Sequence, residues 1–577
     1  MDNKEVAAVF FRIADALEIK GENVFKIRAY RRAAQNLTDF SRQVEDVYKE
    51  DPSKLNDISG IGKDLKEKIV EMINTSHLKY YDDLMKEFPK GFLELLNIAG
   101  LGPKKLKKLK EELAIKNVND LEKACKNGKL SRVEGMGEKT SQKLLEAIQY
   151  FRQKEGRFLL AEAEYFAGTV IKYLKKSVNF KKIEIAGSLR RGRETIGDVD
   201  ILASAKNAGK AMDYFVRFPN IKNVAAKGLT KSSIVIKEGP QVDLRIIDET
   251  SFGAALVYFT GSKAHNIKIR KIAKDKNCKV NEYGVFSVSS SNRETKIAGK
   301  TEDEVYRKLG MEWCAPELRE DQGEIEAALA GKLPRNLIRL KDIKGDLHSH
   351  TVETDGSLTI KEMVLAAKRK GYRYFAVTDH SKNVRIANGM DEKRLLKHIA
   401  NIKKIRETIS GIKVLAGVEV DILEDGKLDI EDYVLKELDV VIAAVHSKFS
   451  LDKAKQTNRI LRAMDNKYVS ILAHPSGRLI TTRKPIQADF DKIFLKAAEN
   501  NVCLEINTHG ERIDLNDLHC RRAKEFGAKF VINTDAHDAS QLDEIKYGVV
   551  TARRAWLEKK DVINTYTVDK LIKTLKR

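Results

Sequence analysis

A carboxylate pair and a glycine-rich turn lie close together near the middle of the chain. Residues 187–192 read Gly-Ser-Leu-Arg-Arg-Gly, and residues 197–200 read Gly-Asp-Val-Asp. The flanking apolar residues predict a strand, a turn with a short helix, and a second strand. Alternate side chains of a strand share a face, so Asp198 and Asp200 point the same way and repel each other unless a cation lies between them. Because amides of such a turn bind phosphate, the spacing favours a Mg²⁺-nucleotide site over a capped polar turn.

Nine of the eleven histidines lie after residue 345, and six of them end apolar runs or follow them directly. These six are His348, His350, His380, His446, His474 and His537. Glu419 ends a similar run, and helical patterns separate the runs, which predicts parallel strand–helix units. Polar residues at the carboxyl ends of seven such strands predict a (β/α)7 barrel whose ligands suit Zn²⁺, Mn²⁺ or iron. We expect His398, His509 and His519 to be structural or rim residues.

The first 150 residues have helical periodicity and contain three glycine pairs, each followed by a lysine-bearing helical pattern. The pairs are Gly60 and Gly62, Gly100 and Gly102, and Gly135 and Gly137. Such a pair allows a tight turn between two helices, and the amides that start the second helix can bind a DNA phosphate without reading the bases. The three copies resemble the helix-hairpin-helix motifs of DNA repair proteins, so these six glycines are the predicted DNA-binding positions.

The composition indicates a basic protein of several domains. The chain has 577 residues, too many for one core, and its 106 lysines and arginines exceed its 84 acidic residues by 22. That excess favours a polyanionic partner, although a lysine-rich proteome would produce it too. Five cysteines without a Cys-x-x-Cys pair argue for a reducing compartment. With no signal-peptide core and no apolar run long enough to span a bilayer, we expect a cytoplasmic protein without a membrane partner.

A third carboxylate is predicted to join the pair. Residues 233–236 and 242–245 read as the two arms of a β-hairpin, which places Asp243 on the second arm. Asp243 would lie beside Asp198 and Asp200 if the two strands are neighbours in one sheet. Without that pair upstream, a lone aspartate at the end of a sheet would be an equally good interpretation.

Residues 258–262 read Tyr-Phe-Thr-Gly-Ser, and with the motif at 187–200 they resemble family X DNA polymerases over residues 1 to about 315. The resemblance implies two-metal nucleotidyl transfer with Mg²⁺ or Mn²⁺ and deoxynucleoside triphosphates (dNTPs). It assigns metal binding to Asp198, Asp200 and Asp243, with Asp243 nearest the attacking hydroxyl. It assigns triphosphate contacts to Ser188, Arg191 and Gly197, and sugar and base contacts to Tyr258, Phe259, Gly261 and Asn266. Arg270 matches a residue on the template side of the new pair. The animal enzymes differ at Lys263, where they are acidic, and at His265, where they are aromatic.

The N-terminal unit resembles the small domain that binds the 5′-phosphate of a gap in this family. Lys68 matches the Schiff-base lysine of those members that excise a sugar-phosphate, but Asp64 stands where they carry a phosphate-binding lysine. A lysine attacks a carbonyl only when its pKa is lowered, and the loss of a cationic neighbour works against that. Lys68 is therefore a candidate lyase residue, with a solvated helix lysine as the favoured interpretation.

Residues 340–577 resemble the polymerase-and-histidinol-phosphatase (PHP) domain. The resemblance implies up to three Mn²⁺ or Zn²⁺ ions and phosphoester hydrolysis by a metal-activated water. Its first metal takes His348, His350, Glu419 and Asp535. Its second takes Asp355, His380 and the bridging Glu419. Its third takes His446, His474 and His537. Because every ligand position is filled, a purely structural barrel is disfavoured.

The predicted fold class is multidomain, with helical N-terminal domains, an α+β palm and thumb, and a C-terminal (β/α)7 barrel. The predicted domains are a 5′-phosphate and DNA-binding helical domain at 1–80, helix-hairpin-helix fingers at 81–150, a nucleotidyltransferase palm at 151–250, a thumb at 251–315, a linker with some helix near 325–329 at 316–339, and a PHP metallohydrolase barrel at 340–577.

These features predict a DNA polymerase that fills short gaps during repair and carries a 3′–5′ exonuclease in its barrel. Opening of abasic sites and removal of 3′-phosphates are further activities that the PHP resemblance leaves open. The expected partners are dNTPs and gapped or nicked duplex DNA with a 5′-phosphate, bound by a monomer. Two alternatives are a small-molecule metallophosphatase fused to a non-DNA nucleotidyltransferase, and a non-catalytic DNA scaffold. The hairpin motifs and positive charge oppose the first, and the intact carboxylate trio opposes the second.

Overall fold

The computed structural model describes residues 3–39, 44–58, 60–75, 77–89, 91–98, 100–154 and 156–576. The predicted helical character of the first 150 residues is confirmed. The helices are α1 (Asn3–Lys20), α2 (Val24–Asp39), α3 (Val44–Glu50), α4 (Lys63–Thr75), α5 (Lys79–Lys86), α6 (Pro103–Leu113), α7 (Val118–Lys126) and α8 (Glu138–Lys154). Their apolar stripes bury one continuous core that includes residues from all three hairpins. Within the described ranges, no helix is both long enough and apolar enough to cross a membrane.

A five-stranded mixed sheet forms the palm. Its elements are β1 (Phe158–Leu159), α9 (Leu160–Lys175), β2 (Phe180–Ile185), α10 (Gly187–Arg190), β3 (Thr195–Ile196), β4 (Asp198–Ala205), α11 (Ala208–Phe215), β5 (Ile221–Lys227), β6 (Lys231–Ile236) and β7 (Gln241–Ile246). The sheet order is β2-β4-β7-β6-β5, in which only β4 and β7 are parallel neighbours. The predicted hairpin is β6–β7, and the crossover from β4 puts its second arm directly beside the carboxylate strand.

The thumb follows the palm and has its own core. Its elements are α12 (Phe252–Thr260), α13 (Lys263–Asp275), β8 (Cys278–Asn281), β9 (Gly284–Val288), β10 (Glu294–Ala298), α14 (Glu302–Lys308) and α15 (Glu324–Leu329). The first part of the predicted linker differs from expectation, because Leu318, Ile325 and Leu333 are buried in this core. The charged sequence suggests a solvated segment, but some of its charged side chains are buried. Arg319 is fully buried, with its Nη1 2.8 Å from Glu302 Oε1.

Seven parallel strands in chain order form the C-terminal barrel, as predicted. Its elements are β11 (Gly345–Asp346), α16 (Ile360–Arg369), β12 (Tyr374–Val377), α17 (Glu392–Thr408), β13 (Lys413–Asp421), α18 (Asp432–Leu435), β14 (Val440–Ala444), α19 (Lys453–Asp465), β15 (Ile471–Leu472), α20 (Phe490–Glu499), β16 (Cys503–Asn507), α21 (Asp517–Glu525), β17 (Phe530–Asn533), α22 (Ile545–Arg554) and α23 (Val568–Leu575). A bridge between Ser349 and Ala536, just beyond β11 and β17, joins the first and last strands. The carboxyl ends of all seven strands therefore face one opening.

Candidate active sites

The palm carboxylates lie on two adjacent strands. β4 and β7 run parallel in a register that places Asp200 opposite Asp243. Asp198 begins β4 and shares a face with Asp200, because side chains two residues apart on a strand point the same way. Asp243 is buried, Asp200 is half-buried and Asp198 is exposed. The sheet thus places the three residues side by side, with one end of the trio open to solvent.

Burial and mutual repulsion set the charge of this trio. Burial, with repulsion from Asp198 and Asp243, raises the pKa of Asp200 to about 6. Burial also favours neutral Asp243, but hydrogen bonds led by that from Lys231 outweigh it and hold the Asp243 pKa below its ordinary value. Lys231 Nζ lies 2.8 Å from Asp243 Oδ2. Sequence reasoning missed this lysine, because a charged residue at the start of a hairpin arm is common.

The predicted phosphate turn approaches the carboxylates closely. Gly187 has a φ of +64°, and a Cβ there would lie 2.6 Å from Asp200 Oδ2, so both the backbone conformation and the space require glycine. Ser188 follows in α10, and Gly197 directly precedes β4. A phosphate in this turn would therefore sit next to the carboxylate strand, where a shared divalent cation offsets the negative charge of both.

Arg191 follows α10 and reaches between the palm and the thumb. Its Nη1 donates to the Thr260 carbonyl oxygen at 2.6 Å, and its Nε donates to Glu320 Oε1 at 3.0 Å. Its Nη2 makes no hydrogen bond within the described residues. Two of the three guanidinium nitrogens of Arg191 are thus bound by the protein, and Nη2 is available to a ligand.

The predicted sugar and base contacts cluster where α12 ends and α13 begins. The rings of Tyr258 and Phe259 lie edge to face with centroids 5.0 Å apart. Asn266 donates from Nδ2 to the Tyr258 carbonyl oxygen at 2.6 Å, which ties the two helices together. Gly261 ends α12 with a φ of +71°, and Arg270 is exposed on α13. Four of the five therefore lie at the junction of α12 and α13, and Arg270 lies one helical turn after Asn266 on α13.

His265 explains one departure from the family pattern. Its ring is fully buried, with Nδ1 2.6 Å from Glu324 Oε1 and Nε2 2.8 Å from the Tyr306 hydroxyl. The imidazole thus links α13 to α14 and α15, a role that an aromatic ring without nitrogen cannot fill. Lys263, the other departure, is exposed at the start of α13.

All nine predicted barrel ligands meet at the strand ends. Glu419 is at the centre: its Oε1 lies 3.1 Å from His446 Nε2 and 2.9 Å from His474 Nε2, and its Oε2 lies 2.8 Å from His380 Nδ1. Beside it, His350 Nε2 lies 3.0 Å from Asp535 Oδ1. The other three ligands, His348, Asp355 and His537, border the same cluster. Burial alone would raise the pKa of Glu419, but the surrounding histidines hold it well below its ordinary value.

The grouping of these ligands differs from the expected assignment. Asp355 Oδ2 lies 3.5 Å from His380 Nε2 and 3.4 Å from His537 Nε2, so these three form one group with His350. His446 lies instead with Glu419 and His380. His537 was expected with His446 and His474, but it follows β17 and faces the loop after β11, because the closed barrel makes the first and last strands neighbours. Chain order alone does not reveal that adjacency.

A second layer of acidic residues orients the ligands. Glu505 Oε1 lies 2.8 Å from His348 Nδ1, and Glu505 Oε2 accepts from the His474 backbone amide at 2.8 Å. Asp421 Oδ1 lies 3.2 Å from His446 Nδ1. These carboxylates fix the ring orientations, as outer-shell groups do in metal sites. Sequence reasoning missed them, although Glu505 lies in a strand that was identified and Asp421 shares a face with Glu419 two residues away.

The barrel cluster has the chemistry of a metal site. Two of its ring nitrogens are buried without a hydrogen-bond partner in the described chain. They are His348 Nε2, which lies 3.5 Å from Glu419 Oε2, and His350 Nδ1, which lies 3.8 Å from Asp355 Oδ1. Buried polar groups are normally satisfied, so unpaired ones that converge indicate a missing ligand. Imidazole and carboxylate donors at these spacings suit Zn²⁺ or Mn²⁺. The residues present therefore fit a multinuclear metal centre.

The hairpin glycines and Lys68 lie in the helical region. Gly60, Gly100 and Gly135 have φ values of +79°, +90° and +80°. The second glycine of each pair directly precedes the next helix. Lys68 contacts the Asp64 carboxylate one helical turn away, and its Nζ lies 5.1 Å from the Tyr80 ring centroid. Lys68 thus lies beside a carboxylate, where the family members that excise a sugar-phosphate carry a lysine.

Comparisons with known proteins agree with this architecture. Family models match a helix-hairpin-helix domain at residues 1–78, a SAM-like helix-hairpin-helix tandem at 92–149, a DNA polymerase beta thumb at 255–320 and a PHP domain at 346–509. The molecule is thus of the class that joins a polymerase-β-like core to a metallohydrolase barrel.

Full-length similarity identifies the family. The DNA polymerase/3′-5′ exonuclease PolX of Bacillus subtilis (strain 168) is 37% identical over 579 residues, covering 100% of both chains. This chain therefore belongs to the family X DNA polymerases that carry a C-terminal PHP domain. A probable phosphatase of Thermoanaerobacter sp. (strain X514) is 31% identical over 38% of this chain and 89% of its own length, and one of Shewanella sp. (strain MR-4) is 31% identical over 34% and 77%.

Proposed function

We propose that this chain fills short gaps in duplex DNA as a DNA polymerase and shortens 3′ ends through a metal-dependent exonuclease in its barrel. The full-length similarity to the Bacillus subtilis polymerase/exonuclease carries the proposal, because it includes both candidate sites and the hairpin motifs. A damaged 3′ end blocks nucleotide addition, and a tethered hydrolase raises the local concentration of the activity that removes it.

In the palm, Asp198, Asp200 and Asp243 would hold Mg²⁺ or Mn²⁺. Ions bound there supply Lewis acidity to the primer 3′-hydroxyl and to the triphosphate. We assign Asp243 to the side of the attacking hydroxyl, because its hydrogen bonds favour the ionised form. Ser188 and Gly197 would receive the triphosphate together with the free edge of Arg191.

In the thumb, four residues near the start of α13 would contact the incoming sugar and base, and one would contact the template side. The first four are Tyr258, Phe259, Gly261 and Asn266, and the fifth is Arg270. Support comes from their placement around the hinge between α12 and α13.

In the barrel, the nine ligands around Glu419 would hold up to three Mn²⁺ or Zn²⁺ ions. Ions bound there would neutralise the phosphodiester and activate a water. The protein contributes a dry, fixed frame: Glu505 and Asp421 orient two of the histidines, and the other ligands are mostly buried. Abasic-site opening and 3′-phosphate removal would use the same centre on related ends.

The hairpin motifs and net charge of +22 support duplex DNA as the partner. We propose gapped or nicked DNA with a 5′-phosphate, bound by a monomer, with the 1–80 and 81–150 domains holding the backbone on either side of the gap. The boundaries of all six predicted domains stay predictions. The small-molecule phosphatase alternative keeps the support of relatives that match the barrel alone.

One experiment tests the proposal directly. The purified full-length chain is incubated with Mn²⁺ and a 5′-phosphorylated gapped duplex, with or without dNTPs. We expect extension of the primer when dNTPs are present and shortening from its 3′ end when they are omitted. Faster hydrolysis of a small phosphate ester than of DNA 3′ ends, with no extension, would instead favour the phosphatase alternative.

A further inference from the structure

An arginine of the barrel reaches the phosphate turn of the palm. Arg554 ends α22, its side chain is 4% exposed, and its Nη1 donates to the Arg191 carbonyl oxygen at 2.7 Å. The same Nη1 lies 3.0 Å from Glu320 Oε1, the carboxylate oxygen that also accepts from Arg191 Nε. One carboxylate of the thumb segment therefore binds two arginines, one from the palm and one from the barrel.

The contact is a packed interface rather than a single ion pair. A Cβ at Gly192 would lie 2.0 Å from Val550 Cγ1, so only glycine allows the turn to pack against α22. Arg554 is itself fixed within the barrel by Asp517, whose Oδ2 accepts from Nε at 2.9 Å and from Nη2 at 2.7 Å. Asp517 thus holds the guanidinium in place on the barrel, and Nη1 is the donor that faces the palm.

We propose that Arg554 of the PHP barrel is a positioning residue for nucleotide binding in the palm. By sharing Glu320, it keeps that carboxylate from pairing with Arg191 alone, which leaves the Arg191 guanidinium available to the triphosphate. By binding the Arg191 carbonyl, it fixes the end of the phosphate turn. The inference rests on the proposed polymerase function, since it concerns the nucleotide of that reaction.

The adjacent residue offers a matched control. Arg553 lies on the same helix and at the same interface, where its Nε donates to Glu317 Oε1 at 2.7 Å. Among the described contacts it does not touch the phosphate turn or Glu320. Loss of Arg553 removes an interface ion pair of similar type, so it reports what general loosening of the interface does.

The test compares Arg554→Met, Arg554→Lys and Arg553→Met in the full-length chain. For dNTP addition on a gapped duplex, we expect Arg554→Met to raise KM about five- to tenfold with kcat within about twofold. Arg554→Lys keeps a positive charge beside Glu320 but loses the forked guanidinium. Its KM should therefore lie between those of the wild type and Arg554→Met. Arg553→Met should keep the wild-type KM within about twofold. Exonuclease activity on the same DNA reports that each variant is folded.

Three results would overturn the inference. The first is an unchanged KM in Arg554→Met, and the second is an equal rise in Arg553→Met. The third is a parallel loss of exonuclease activity, reproduced in Arg554→Lys, which would show a structural role only. A failure of the underlying polymerase proposal looks different, because the wild-type chain itself would then extend no primer.

Discussion

The palm places three carboxylates on two adjacent strands with one end open, whereas the barrel gathers nine ligands from the ends of six strands into a buried cluster. Within the described chain, groups of three or more ligand residues whose atoms all lie within 4.8 Å of one another occur in the barrel alone. Barrel ligands are also fixed by partners such as Glu505. The palm instead contains Lys231, a partly exposed cation, against Asp243.

This difference indicates when each centre takes up metal. The barrel cluster has unpaired buried donors and low-pKa carboxylates, so it is organised for ions before any DNA arrives. The palm trio is partly neutralised by Lys231 and by the raised pKa of Asp200. We therefore expect its full metal complement to depend on the charge that a triphosphate brings. The predictions below test whether the two centres are separate and whether only one is preorganised.

The largest effect should follow removal of the central palm carboxylate. Asp200→Ala should lower the rate of gap filling about a thousandfold or more, because the divalent ion loses a ligand in the transition state. Shortening of 3′ ends should stay within about twofold. The exposed Asp213→Ala on α11 is the matched control and should keep both rates. Loss of both activities in Asp200→Ala alone would show that the centres are not separate.

The reverse pattern should follow a change in the barrel. His348→Ala should abolish 3′ digestion, because it removes a ligand that also contacts Glu505, and it should leave primer extension near the wild-type rate. His519→Ala provides the control, since that ring stacks on Phe490, 4.5 Å between centroids, as part of a helix contact. Digestion that survives His348→Ala would place the exonuclease elsewhere on the chain.

An outer-shell change should separate preorganisation from ligation. Glu505→Gln keeps the shape but weakens the acceptor for His348 Nδ1, so the Mn²⁺ concentration for half-maximal digestion should rise about 10- to 100-fold. Gap filling at saturating Mg²⁺ should not change. The exposed Glu499→Gln on α20 should behave as wild type. An unchanged Mn²⁺ requirement would mean that the barrel site is no more preorganised than the palm.

The spacing of chemical residues along the chain predicted the architecture well. Ligands at strand ends identified the barrel, because each apolar strand of a closed (β/α) fold ends in polar residues at the same opening. The register of Asp200 with Asp243 followed from a hairpin whose second arm returns to the carboxylate strand. The barrel pattern is local, whereas the pairing of β4 with β7 joins strands that are not consecutive and was only a condition at the level of sequence.

Other features depend on contacts that no local pattern encodes. Lys231 and Glu505 act through partners on different strands, and the grouping of Asp355 with His537 depends on how the barrel closes. Residues 316–339 are predicted as a linker because charged side chains are normally solvated, yet Arg319 is buried against Glu302. The sequence therefore predicted which residues come together more reliably than how they are grouped.

A smaller effect should appear in the stability of the metal-free palm. A pKa of Asp200 raised from 3.8 to about 6 means that the fold disfavours its ionised form. Its stabilising contribution is complete below about pH 4 and is lost as pH rises through 6, by at most about 3 kcal/mol. Asp200→Asn should therefore raise the apparent Tm in EDTA more at pH 8 than at pH 5. Equal gains at both values would show that burial and repulsion do not raise the pKa of Asp200.

The smallest effect on gap filling should come from Lys68, which lies outside both metal centres. Lys68 contacts a carboxylate where the members that excise a sugar-phosphate carry a cationic neighbour, so borohydride should trap no adduct between the wild-type chain and a 5′ sugar-phosphate end. Lys68→Ala should keep the gap-filling rate within about twofold. Asp64→Lys restores a cation beside the Lys68 amine and should allow trapping that Lys68→Ala then removes. Strong trapping by the wild-type chain, lost in Lys68→Ala, would instead establish a third chemical site in the molecule, one that needs neither metal centre.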